Sequence, residues 1–219
     1  MTSFFAVSNG DGSFSLTVPG YVLVAVLIFA LFVLMAMVAS HGKRPSARQI
    51  AFASAAIALA VVTSMIKIFE MPFGGSVTLC SSFFIVLIAY WYGPAVGMMA
   101  GVAFGLLQFV LGPYIISLPQ VLFDYPLAFG ALGVAGFFYH RKHGLLIGYI
   151  AGMAARLFFH VLSGIVFFAD DAPAGMSALA YSLAYNGSFL AAEAAITILI
   201  MMIPAVSKAL QQIRNQAVA

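Results

Sequence analysis

Charge is what this sequence has least of: six acidic and nine basic side chains in 219 residues, or 7%. A soluble domain carries about 25%, so a globular fold standing free in water is excluded. Cysteine is nearly absent as well. The single thiol, Cys80, rules out an internal disulfide and any multi-cysteine metal site. No glycine-rich phosphate-binding loop is present, so nucleotide hydrolysis falls to other chains. The net charge of +3 is too small to suggest nucleic acid as a partner, and basic residues on the loops of such a chain report orientation instead. The first apolar run has no basic residue before it and several just after it, the reverse of a signal peptide.

What remains is 64% hydrophobic and falls into runs. These cover 20–39, 49–66, 77–92, 95–111, 118–138, 144–168 and 179–203. Most are long enough for one helix across a hydrocarbon core of ~30 Å. The run at 77–92 is at the short end. Turn chemistry separates them: Gly93-Pro94, Gly112-Pro113, the basic turn His140-Arg141-Lys142-His143, and Asp170-Asp171-Ala172-Pro173. Between the second and third runs, Pro72, Gly74 and Gly75 break the pattern and read as a loop. The expectation is an all-α integral membrane protein in a lipid bilayer. Residues 1–19 form an exposed arm, 20–39 a first helix, and 204–219 a tail.

If each run crosses once, Lys43, Arg44, Arg48, Arg141, Lys142, Lys208 and Arg214 share one side and only Lys67 takes the other. The positive-inside rule then puts the N-terminus outside and the C-terminus in the cytoplasm of a multi-pass cell-membrane protein.

Ionisable groups inside such runs are expensive and mark function by default. Asp124 lies about 9 Å below the outer end of its helix, His160 about 12 Å and Asn186 about 10 Å. Three polar groups on three consecutive helices therefore share one level, with Tyr114, Tyr125, Tyr181 and Tyr185 nearby. An organic cation from outside suits an acidic pocket with aromatic walls. The competing reading is a carboxylate that snorkels or pairs with a neighbouring base. Arg156 and Glu193 lie deeper, about 18 and 21 Å down, and read as a buried pair joining the last two helices. Small residues recur at helical spacing as Ala47, Ala51, Ala55 and as Ala56, Ala60 on the second run, and as Gly97, Gly101, Gly105 on the fourth. Such stripes let helices approach closely. On the glycine stripe that means internal packing; on the alanines either internal packing or docking of a separate subunit.

The segments Gly74-Gly75-Ser76-Val77-Thr78, Gly105-Leu106-Leu107-Gln108, Leu111-Gly112-Pro113-Tyr114 and Gln120-Val121-Leu122-Phe123-Asp124-Tyr125-Pro126 stand in order along the chain. Arg156-Leu157-Phe158-Phe159-His160 and Tyr181-Ser182-Leu183-Ala184-Tyr185-Asn186-Gly187 follow them. Together they resemble the thiamine-specific substrate-binding (S) component of energy-coupling factor (ECF) transporters, over about residues 48–203. The resemblance implies a six-helix bundle, here with one extra N-terminal transmembrane helix. It implies high-affinity capture of thiamine from outside, without chemistry or cofactor. A separate ECF module of one transmembrane coupling protein and two ATPases would supply the energy. Ligand contacts would fall on Asp124, Tyr125, His160, Tyr181, Asn186 and Tyr114. Phe168 stands where some relatives place a pocket tryptophan, and Asp124 where some carry glutamate. The docking stripe would fall on Ala51, Ala55, Ala56 and Ala60. A scaffold tuned to the uncharged hydroxymethyl pyrimidine precursor is the alternative. An intramembrane enzyme using His160 and Asp124 is a remote one, since no nucleophile motif or metal ligand set accompanies them.

Overall fold

The computed structural model describes residues 6–8, 14–22, 26 and 46–218. The expected extra helix over 20–39 lies outside the described residues except for 20–22 and 26, which are helical. Within the arm, β1 (Ala6–Ser8) and β2 (Phe14–Leu16) pair antiparallel. That is more order than a polar arm suggests.

The bundle begins with α1 (Ala47–Ser64), opened by a capping box in which Ser46 and Gln49 each satisfy the other's backbone N–H. A hairpin follows, β3 (Lys67–Glu70) with β4 (Ser76–Thr78). Then come α2 (Ser81–Tyr92), α3 (Pro94–Leu111), α4 (Leu118–Phe138), α5 (Gly144–Phe167), α6 (Ala178–Met202) and α7 (Pro204–Val218). Five of these, α1 and α3 to α6, are long and apolar enough to cross a membrane. Large apolar side chains such as Leu59, Val110, Ile150, Phe158 and Leu199 face outward, as lipid contact requires. The six-helix bundle is therefore as expected, with short strand pairs added. The residues read as a tail form α7, which packs back against α1, α2 and α6.

The third apolar run departs from expectation. Val77 and Thr78 belong to β4, so α2 keeps 12 residues. At 1.5 Å per residue it is about 18 Å long, well short of the membrane core. Nine of its residues are buried, and it touches α1, α3, α4 and α5. A helix apolar on every side belongs in the middle. Its N-terminus consequently stops at mid-depth, and the hairpin fills the space above. Only the β4 side of the hairpin is enclosed by protein, with Val77 and Thr78 buried; β3 is exposed, and Phe73 and Gly74 line a cavity, where non-helical backbone is tolerable.

The glycine stripe lets α3 meet α4 almost backbone to backbone. A Cβ on Gly105 would fall 2.5 Å from the Tyr125 carbonyl oxygen, and one on Gly101 would strike the Phe129 carbonyl. The alanine stripe divides. Ala56 and Ala60 are 6% and 0% exposed within the core, whereas Ala51 and Ala55 are exposed. Internal packing therefore occupies Ala56 and Ala60 and leaves Ala51 and Ala55 at the surface.

Candidate functional site

Helix α4 is irregular where it carries Asp124. Over Phe123–Leu127 it widens to a π turn, and the Ala128 N–H reaches back to the Phe123 carbonyl. Pro126 sits inside this turn; it has no N–H to give, and the wider turn absorbs the missing bond. Such bulges re-aim side chains and are frequent at functional sites.

The turn aims Asp124 into a cavity of about 410 Å³, a size typical of small-molecule sites. Tyr114, Tyr125, His160, Phe168, Tyr181 and Asn186 line the same cavity. The structure therefore brings together all the side chains expected to meet a ligand, drawn from α4, α5, α6 and the loop before α4.

Their hydrogen bonds define what each offers. Asp124 Oδ1 lies 3.2 Å from His160 Nδ1, and Oδ2 accepts from Gln120 Nε2 at 2.6 Å. Arg156 Nε donates to His160 Nε2 at 3.3 Å. An arginine N–H can only donate, so Nε2 carries the lone pair and Nδ1 carries the proton. The imidazole is then neutral and donates to Asp124. Gln120 Oε1 also accepts from the Ile116 N–H, while Nε2 donates to the Tyr114 carbonyl. That ties the α3–α4 loop to the carboxylate. Tyr125 does the same from its other end: its hydroxyl accepts from the Tyr114 N–H at 2.9 Å and donates to the Gly112 carbonyl. What Tyr125 presents to the cavity is its ring.

Asn186 Nδ2 donates to the His160 carbonyl and to both Ser182 oxygens. Those three acceptors fix the amide, and its carbonyl oxygen, without a hydrogen-bond partner among the described residues, is left for a donor in the cavity. Aromatic rings form the rim. Tyr114 stacks on Phe168 with centroids 6.1 Å apart, and Phe73 meets both Phe168 and Tyr185 edge-on.

Arg156 and Glu193 do approach each other, at 3.9 Å, but a third group joins them. Ser82 Oγ accepts from Arg156 Nη1 at 2.6 Å, and the Ser82 N–H donates to Glu193 Oε1 at 3.2 Å. Glu193, only 1% exposed, thus sits at the positive N-terminal end of α2, where a carboxylate is favourable. The guanidinium also lies 4.2 Å from the centroid of the Phe129 ring. Sequence depth set this pair apart from Asp124. In the structure Arg156 belongs to both groups, through His160 on one side and Ser82 on the other. Two carboxylates thus face one guanidinium and a neutral imidazole, and Lys67, which also lines the cavity, is paired with Glu70 at 2.6 Å.

Sequence reasoning missed the hairpin's part. Phe73, Gly74, Gly75 and Ser76 line the cavity. The Tyr185 hydroxyl accepts from the Gly75 N–H at 3.1 Å and donates to the Pro72 carbonyl. A Cβ on Gly75 would lie 2.7 Å from that hydroxyl oxygen and 3.1 Å from the Phe189 ring, so a side chain there would push Tyr185 off the hairpin. The Gly74-Gly75 pair is the available signal: it marks a loop, but its partner lies 110 residues further along the chain.

Comparison with known proteins gives a consistent picture. Residues 50–213 match the thiamine transporter protein family (Thia_YuaJ). Thiamine transporter ThiT of Bacillus subtilis (strain 168) is 34% identical over 151 residues, covering 63% of this chain and 77% of that protein. ThiT of Lacticaseibacillus paracasei is 28% identical over 134 residues, 53% of this chain and 67% of that one. The solved structure of ThiT from Listeria monocytogenes superposes with a TM-score of 0.60 at 25% identity, covering 77% of this chain and 96% of its own. The chain belongs to the thiamine transporter protein family, a family of membrane transport components and not of enzymes.

Proposed function

We propose that this protein captures thiamine from the outer face of the cell membrane and hands it to a separate ECF module of coupling protein and two ATPases. The observation that carries the proposal is the Asp124 carboxylate, hydrogen-bonded only to Gln120 and His160 among the described residues, beneath an aromatic rim within a cavity of about 410 Å³. Thiamine joins a cationic thiazolium ring to an aminopyrimidine. The carboxylate and the rings suit the first through charge and cation–π attraction. The free carbonyl oxygen of Asn186 suits an amine donor on the second. Asp124, Tyr114, His160, Phe168, Tyr181 and Asn186 are the contacts, with Tyr125 and Tyr185 holding the loops that carry the rim. Ala51 and Ala55, exposed on α1, are the positions left for the coupling protein.

Titration of the purified protein in detergent, without nucleotide, tests this. Thiamine should bind at micromolar concentration or below, and the hydroxymethyl pyrimidine more weakly, since it lacks the charge. Absence of thiamine binding at micromolar concentration refutes the proposal; tighter binding of the pyrimidine would make the precursor the ligand.

A further inference from the structure

A second cavity, of about 470 Å³, opens at the end of the bundle opposite the Asp124 site. Its walls come from α2, the turn before α5, the end of α6 and α7. Arg141, His143 and Arg214 line it, and no acidic side chain among the described residues does. The Arg214 guanidinium stands over two rings, 5.0 Å from the Tyr139 centroid and 5.9 Å from that of Tyr90. The half-buried guanidinium hydrogen-bonds the Tyr139 side chain, while its Nε has no hydrogen-bond partner among the described residues. An unpaired donor is costly, and the planar fork of a guanidinium is matched to a carboxylate or phosphate.

The backbone adds to the positive field. Helix α5, 24 residues long, begins at this cavity after His143 in the left-handed conformation (φ 56°), which supplies no side-chain cap. Gly144, Leu145 and Leu146 line the cavity. The N–H groups of Leu145 and Leu146 have no acceptor among the described residues, as first-turn amides await one. Below the cations the wall turns apolar, with Leu87, Ile198, Met201 and Leu210. Helix α7 is held across this end by the Tyr92 hydroxyl, which donates to the Ala217 carbonyl at 3.1 Å.

We infer that this cavity binds the phosphate of an anionic membrane lipid, with Arg141, Arg214 and the α5 N-terminus on the headgroup and the acyl chains along the apolar wall. A free phosphate would use the same cations, but it has no use for the apolar wall at the membrane boundary. Basic pockets between transmembrane helices commonly take such headgroups. The site is independent of the thiamine reading.

The test is native mass spectrometry of the full-length protein from micelles containing phosphatidylglycerol and phosphatidylcholine in equal amounts, with thermal melts in the same mixtures. One phosphatidylglycerol should be retained under conditions that strip phosphatidylcholine, and it should raise the melting temperature. Arg141→Gln, at an exposed side chain, should weaken retention about fivefold, the equivalent of one basic contact near a membrane surface. Arg214→Gln should weaken it further, with Arg214→Lys between. Lys208→Gln, outside the cavity, should leave retention within about twofold. Thiamine titration of each variant checks the fold separately, and Arg141→Gln alone decides if Arg214→Gln does not fold. Equal retention of the two lipids, or an equal loss in Lys208→Gln, overturns the inference. So does inorganic phosphate that protects as well as phosphatidylglycerol.

Discussion

Asp124 has two hydrogen-bond partners that decide what a substitution there does. Asparagine keeps the shape but presents one acceptor where the carboxylate presents two, and both Gln120 and His160 donate to it. Gln120 cannot turn over without losing Ile116 and Tyr114, and His160 cannot shift its proton while Arg156 donates to Nε2. Asp124→Asn should therefore misplace the α3–α4 loop a little and also remove the charge. Thiamine affinity should fall by about 2–3 kcal/mol, combining one lost neutral hydrogen bond with one lost charge-assisted one. The hydroxymethyl pyrimidine should lose only about 1 kcal/mol. Titration of both ligands reads the difference, and equal losses would show that the charge serves the fold alone.

Elements, more than residues, set the remaining geometry. The α2 N-terminus needs Glu193, and Glu193 meets Arg156 largely by way of Ser82. Arg156→Ala and Glu193→Ala should each cost about 3–5 kcal/mol, the cost of stranding a buried partner charge. The double substitution should cost less than their sum. Ser82→Ala should cost about 1–3 kcal/mol by leaving a guanidinium donor without its acceptor. Thermal melts of the four proteins decide: additive losses would remove the network. The hairpin makes a separate prediction. Tyr185→Phe releases Gly75 and Pro72 together, and thiamine should then leave faster by about 5–30-fold, as one or two kcal/mol implies. Stopped-flow dissociation measures this, and an unchanged off-rate would mean the hairpin does not retain ligand.

At this scale the legible and illegible parts of the sequence separate cleanly. Helices α1 and α3 to α6 could be read to within a few residues, since each apolar run is bounded by its own Gly, Pro or basic turn. Counting residues from the outer ends placed Asp124, His160 and Asn186 at one level, and one cavity receives all three. The β3–β4 hairpin was not legible, because Val77 and Thr78 continue an apolar run and nothing local says strand. Its anchors are 110 or more residues away on α6. Gln120, Ser82 and the split of the alanine stripe were hidden for the same reason: each depends on which way a helix turns in the bundle.

For the whole molecule the open physical question is which end faces out, and the charge distribution answers it only through the positive-inside rule. The two cavities lie at opposite ends, one near Asp170 and Asp171 and the other beside Arg141 and Lys142. Orientation therefore determines whether the Asp124 site meets the outside medium. The chain's one cysteine offers a clean test. Cys80 is 8% exposed beneath the hairpin, so a membrane-impermeant maleimide should leave the wild-type protein unlabelled in intact cells. Asp171→Cys, on an exposed turn next to the Asp124 cavity, should label in intact cells. Lys142→Cys, equally exposed at the opposite end, should label only after the membrane is permeabilised. Saturating thiamine should leave both rates unchanged, since neither position lines a cavity. Labelling of Lys142→Cys in intact cells, with Asp171→Cys protected, would turn the molecule over and direct the Asp124 site to the cytoplasm, where capture from outside is impossible.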